Sequence, residues 1–88
     1  MIVKLVHNDD PIFSKLFEDV CKEHNIIYEI YDLRYLSDRK KGYKVKGAFS
    51  ARLDPFIGIY NDENQPIKGL YSEVGDCTIG KFNEYLTQ

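Results

Sequence analysis

Apolar residues fall into runs along this chain whose spacing switches between that of strands and that of helices. Ile2-Val3-Lys4-Leu5-Val6-His7 is nearly continuous in apolar character, the pattern of a short strand buried on both faces. Asn8-Asp9-Asp10-Pro11 then predicts a helix start, with an acidic or amide cap and proline in the first turn. Phe13, Leu16, Phe17, Val20, Cys21 and His24 recur at the i, i+3, i+4, i+7 spacing of an amphipathic helix, with Asn25 as its C-cap. Lys15, Glu18, Asp19, Lys22 and Glu23 fill the other face. Ile26 to Leu33, rich in β-branched and aromatic residues, predicts a second strand. A strand–helix–strand piece of this size is a βαβ unit, so the two strands are expected to be parallel with a right-handed crossover.

Arg34 to Lys41 predicts a short helix stopped at Gly42. Tyr43 to Arg52 has no clear period; Gly47, Ala48, Ser50 and Ala51 fit either tight packing or a loop. Asp54-Pro55 then stands directly before the most apolar short run, Phe56-Ile57-Gly58-Ile59-Tyr60. Proline has no amide donor and does not normally open a central strand, so a special turn is expected there, and a cis Asp54–Pro55 bond is one route to it. Asn61 to Gln65 reads as a hairpin loop and Ile67 to Tyr71 as a fourth strand antiparallel to the third. Gly75-Asp76-Cys77-Thr78 forms a second helix entrance, followed by Ile79, Phe82, Tyr85 and Leu86 on one apolar side. The order is β-α-β-α-β-β-α. It implies an α/β fold, a four-stranded mixed sheet with helices on both faces, with residues 1–88 as one domain.

Charge and composition remove several functions. A formal net charge of −2 gives no electrostatic case for nucleic acid, and the cluster Arg39, Lys40, Lys41, Lys44 reads as a solvated helix end. No apolar run approaches the roughly 20 residues that span a bilayer, and the N-terminus does not resemble a signal peptide. No membrane and a cytoplasmic location are therefore expected. Cys21 and Cys77 are too few and too distant for a disulfide framework or a zinc site. His7 lies beside Asp9 and Asp10 but lacks a third clustered ligand type, so no metal is expected. No phosphate-binding loop, nucleophile elbow or His-Glu-X-X-His occurs.

Three places carry a family resemblance. Asp54-Pro55-Phe56-Ile57 resembles the cis-proline motif of glutaredoxins, usually a Val-Pro or Thr-Pro step before a strand. Gly75-Asp76-Cys77-Thr78 resembles their Gly-Gly-X-Asp segment, which opens the last helix and holds a glutathione carboxylate. Asp10-Pro11-Ile12-Phe13 occupies the place of their Cys-Pro-Tyr-Cys, proline against proline. Over nearly its whole length the chain thus resembles a glutaredoxin, the compact branch of the thioredoxin fold. In size and composition it is similar to small glutaredoxin-like proteins of bacteria and their large phages.

The departure from that pattern decides the functional expectation. Asp10 and Phe13 stand where the nucleophilic and resolving cysteines would be, and a carboxylate cannot attack a disulfide. Asp10 is read instead as a helix cap that gains from the helix dipole. Cys21 falls on the apolar stripe and reads as a small buried hydrophobe; Cys77, at a helix entrance, is either a plain loop cysteine or a reactive thiol. Arg52 either forks onto a ligand carboxylate or pairs with Asp54 or Asp10. The resemblance implies a groove formed by Asp10, Pro11, Arg52, Asp54, Pro55, Gly75, Asp76 and Thr78 that binds a protein or peptide, with glutathione as a further ligand and no other cofactor. The alternative is an atypical monothiol protein using Cys77. Nucleic-acid binding through Arg39 to Lys46 is a distant third.

Overall fold

A computed structural model describes residues 1–71 and 77–88, the last segment from the helix start at Cys77. Four strands, β1 (Ile2–His7), β2 (Ile27–Asp32), β3 (Phe56–Tyr60) and β4 (Pro66–Leu70), form one sheet in the order β2-β1-β3-β4. β1 and β2 pair in parallel, Ile2 opposite Ile27 and His7 opposite Asp32, whereas β3 runs antiparallel to both β1 and β4. Among the described residues three helices cover the sheet: α1 (Pro11–Glu23), α2 (Leu36–Ala48) and α3 (Cys77–Thr87). The mixed sheet and its β-α-β-α-β-β-α order agree with the sequence reading. Pro66 is the first residue of β4, an edge strand, the place in a sheet where proline is tolerated.

Strand alternation sends side chains to two cores. Val3 and Leu5 of β1 join Ile57 and Ile59 of β3 beneath Phe13, Phe17, Val20 and Cys21 of α1 and Phe82 of α3. Val6, Phe56 and Tyr60 point to the opposite face, where Val45 of α2 and Leu33 complete a smaller cluster. Phe17 bridges the two helices of the first core by stacking on Phe82 at 5.4 Å between ring centroids.

The α1 boundaries follow the sequence. Asp10 is the N-cap and accepts a hydrogen bond from Phe13 N at 3.0 Å. At the other end the C-cap is His24, and Asn25 is the next residue, in the left-handed region at φ 54°. Its amide donates to Lys22 O and that of Ile26 to Cys21 O, which closes a Schellman turn. Leu16, placed by period on the buried stripe, lies at its margin and is 48% exposed.

One expectation is corrected. The second helix does not stop at Gly42; it runs from Leu36 to Ala48, so six of the ten residues in the unassigned stretch 43–52 are helical. Gly42 is buried in mid-helix, and a Cβ there would come within 2.8 Å of Leu33 Cδ2 and 3.2 Å of Val6 Cγ1. That glycine lets α2 lie close on the sheet rather than ending it. The true stop is a second Schellman turn: Ser50, at φ 54°, donates to Gly47 O, and Ala51 donates to Lys46 O.

Candidate functional site

The register brings the entrance of α1 and the Asp54–Pro55 step to one rim. Val6 lies opposite Phe56, so the C-terminal end of β1 and the residue before β3 share one edge of the sheet with the ends of β2 and β4. His7, Asp32, Pro55 and Tyr71 therefore stand along that edge. Asp10 and Pro11 enter α1 beside it, because the amide of Asp10 donates to His7 Nδ1 at 3.1 Å. The Asp54–Pro55 peptide bond is cis, and Pro55 is buried. Thr78, in the first turn of α3, is wholly buried, and its hydroxyl has no hydrogen-bond partner among the described residues. Gly75 and Asp76 lie outside the described residues; of Cys77 only its place as the first residue of α3 is described.

On the β2 side of the rim every carboxylate among the described residues is engaged. Asp10 caps α1. Asp32, 6% exposed, receives Arg34 Nε at 3.0 Å and Nη2 at 2.8 Å on Oδ2, and the backbone amide of Arg34 at 3.0 Å on Oδ1. The Arg34 side chain in turn reaches Asp9, with Nη1 at 3.0 Å from Oδ1. The guanidinium hydrogen bonds hold the Asp32 carboxyl well below the usual range, against the opposing effect of its burial. This Asp9–Arg34–Asp32 group, which the sequence analysis missed, fixes the loop entering α1. Asp-X-Arg at a strand end is its only sequence trace.

The other side of the rim is built differently. Asp54 pairs with neither Arg52 nor Asp10; Lys46 Nζ donates to Asp54 Oδ1 at 2.7 Å. The Schellman turn folds the chain back, so a lysine eight residues upstream reaches Asp54. Lys46 side-chain exposure is 10% and that of Asp54 is 30%, so both ends of the 49–53 loop are tied by a largely enclosed ion pair. Phe49, the C-cap of α2, drops its ring against Phe56 and Tyr60 at 5.3 and 5.5 Å. Two glycines facing each other across β3 and β4 make room for it. A Cβ on Gly58 would meet Phe49 Cε2 at 2.7 Å, and one on Gly69 would meet Phe49 Cδ1 at 3.3 Å.

Above that seat lies a groove of about 320 Å³ lined by Phe49, Ser50, Ala51, Arg52, Leu53 and Tyr71. Leu53 and Tyr71 stay 37% and 49% exposed. Arg52 is exposed and makes no ion pair or hydrogen bond among the described residues. Of the groove residues expected from sequence, Arg52 lies in this groove, and Asp54 and Pro55 adjoin it along the chain.

Cys21 is fully buried in the first core, and desolvation pushes its thiol up to about 12. Its side chain packs as a small apolar group of that core. Among the described residues no three His, Cys, Asp or Glu side chains cluster as a metal site, and no helix is long and apolar enough to cross a membrane.

No protein-family model matches the chain, and no curated protein matches it in sequence. A search of solved structures finds thioredoxin 1 from the thermophilic eubacterium Thermosipho africanus TCF52B, with a TM-score of 0.59 at 16% identity. The alignment covers 99% of this chain and 96% of that one. Identity this low speaks to architecture alone, and the overlap runs end to end. The chain has the thioredoxin fold.

Proposed function

We propose that this protein is a binding module on the thioredoxin fold, without dithiol chemistry, whose rim groove holds an extended peptide segment of a partner protein. The sequence has no Cys-X-X-Cys, and the first turn of α1 presents a carboxylate that already accepts the Phe13 amide. Cys21 is sealed in the core as a thiol. The observation that carries the reading is the groove. Leu53 and Tyr71 leave apolar surface uncovered beside Pro55, over a floor held by the Phe49 ring and the Lys46–Asp54 pair. A preformed apolar channel next to a strand end suits an extended backbone with alternating side chains.

Selection of random dodecapeptides on the immobilised protein tests this. Enriched peptides are expected to bind in fluorescence polarisation and to lose about tenfold in affinity, about 1.4 kcal/mol, against the Leu53→Ala/Tyr71→Ala protein. No enrichment over a blank surface overturns the proposal. Titration of the ¹⁵N-labelled protein with reduced glutathione separates a tripeptide ligand from a longer one, since only the former moves groove amides by itself.

One observation favours a second reading: Cys77 is the first residue of α3, where backbone amides favour a thiolate. In that case Cys77 attacks the glutathione sulfur of a mixed disulfide, releases the substrate thiol and is itself released by a second glutathione as glutathione disulfide. The activity is then abolished in Cys77→Ser and retained in Cys21→Ser; equal turnover in the wild type and Cys77→Ser removes it.

A further inference from the structure

Charge is distributed unevenly along the rim. On the β2 side Asp9, Asp10 and Asp32 are all neutralised or capping. On the β4 side Asp54 is cancelled by Lys46, so Arg52 is the one charged side chain among the described residues lining the groove. A second cation stands at its margin, where Lys81 of α3 donates to the backbone carbonyl of Tyr71 at 2.9 Å. On the peptide-binding reading above, we infer that the groove selects a carboxylate-bearing segment, one acidic group anchored at Arg52 with an apolar side chain against Leu53 and Tyr71.

The chemistry follows from the guanidinium. Its five N–H donors form a planar fork that matches a carboxylate bidentately, and none is committed among the described residues. The apolar side chains of Phe49, Leu53 and Tyr71 that line the same groove lower the local dielectric and strengthen that contact relative to open solvent. The loop that presents Arg52 is already ordered: Lys46 O accepts amides from Phe49 at 3.2 Å and Ala51 at 2.8 Å, and the Phe49 ring is seated over Gly58 and Gly69. Little conformational freedom then remains to be lost on binding. The carboxylate has two sources, an Asp or Glu side chain or the end of a partner chain.

Peptide selection in two formats on the intact protein tests the inference. One format displays peptides internally, with no free carboxyl end; the other displays them with a free C-terminus. Acidic residues enriched in the first assign the carboxylate to a side chain, and binders confined to the second assign it to the chain end; either outcome supports the inference. Selected peptides are expected to weaken about tenfold against Arg52→Gln, the low end for a charge-assisted pair because Arg52 is exposed. Against Arg52→Glu, selection should turn to Lys and Arg. Exchanging the peptide's acid for its amide should cost about the same in the wild type and nothing further in Arg52→Gln. Leu53→Ala should weaken binding without altering the acid preference. Binders that show no acid enrichment and hold equally to Arg52→Gln overturn the carboxylate inference and leave the peptide groove standing; absence of any binder overturns both.

Discussion

Two glycines in α2 are predicted to respond oppositely to the same substitution. Gly42 and Gly47 both lie within Leu36–Ala48, and neither has positive φ. Alanine in place of a helical glycine gains about 0.8–1.0 kcal/mol of helix propensity in mid-helix and less near an end. At Gly47 nothing lies within 4 Å of the added methyl and the position is exposed, so Gly47→Ala should stabilise by about 0.5 kcal/mol. At Gly42 the methyl would sit 2.8 Å from Leu33 Cδ2 and 3.2 Å from Val6 Cγ1, inside the roughly 3.5–4.0 Å of a favourable carbon contact. Leu33 and Val6 are themselves 5% and 0% exposed, so neither tip can swing aside without disturbing the second core.

Overpacking of a closed site costs about 1–3 kcal/mol, which outweighs the propensity gain at Gly42 by about 1 kcal/mol in the middle of that range. The two variants should then differ by about 1.5 kcal/mol. For a chain of this length that separates their melting temperatures by roughly 6–12 °C, with Gly42→Ala the lower. Urea denaturation followed by far-ultraviolet circular dichroism, with a common m-value, measures the difference. If Gly42→Ala gains as much stability as Gly47→Ala, the close seating of α2 on β1 and β2 is wrong, and glycine there needs another explanation.

Removal of the α1 cap in Asp10→Ala should cost about 1 kcal/mol in the same urea experiment, and Asp10→Ser should recover most of it; equal stability of the two variants would deny Asp10 its capping role. With its thiol pushed up to about 12, Cys21 is ionised to about one part in ten thousand at pH 8. Iodoacetamide should therefore leave native Cys77→Ser protein unlabelled by mass spectrometry and modify it fully in urea; rapid native labelling contradicts the burial of Cys21. Asp32 titrates below its ordinary range in the folded state, so its stabilisation is complete above that range and is lost as pH falls through roughly 4 towards the lower folded value. Stability of the wild type should consequently fall more steeply on acidification than that of Asp32→Asn, and parallel pH profiles would remove the carboxylate from that role.

Most of the frame could be read from the sequence because three elements announce themselves locally. The continuous run at Ile2–His7, the capped and periodic α1, and the polar loop between β3 and β4 each follow from nearest neighbours along the chain. α2 does not, for a physical reason. Its sheet-facing positions are Gly42, Val45 and Lys46, a glycine chosen for absence of volume, one apolar side chain, and a lysine whose charge is cancelled by Asp54. Such a face has no hydrophobic period, and its glycine imitates a stop signal. Phe49 was equally hidden, since its burial depends on two glycines in separate strands that meet only through the β3–β4 register.

The same logic separates what could be read at the rim from what could not. Asp10 is a local cap, visible from Asp-Pro alone, whereas the partner of Asp54 is a lysine on the preceding helix that local spacing does not reveal. That exchange has a consequence for recognition. Had Arg52 paired with Asp54, the groove would present a neutral, internally satisfied surface, and apolar contact alone would govern what it holds. With Lys46 taking the carboxylate from behind, the loop is fastened without using the exposed cation, and the charge of Arg52 stays available on the side facing the groove. Lys46→Met should therefore do more than loosen the loop: Asp54, deprived of its partner, would compete for Arg52 and weaken acidic peptides together with fold stability. A Lys46→Met/Asp54→Leu double variant removes both charges, so it should recover peptide affinity before it recovers stability. Recovery of stability alone would mean that Arg52 is not the group that reads the ligand's charge.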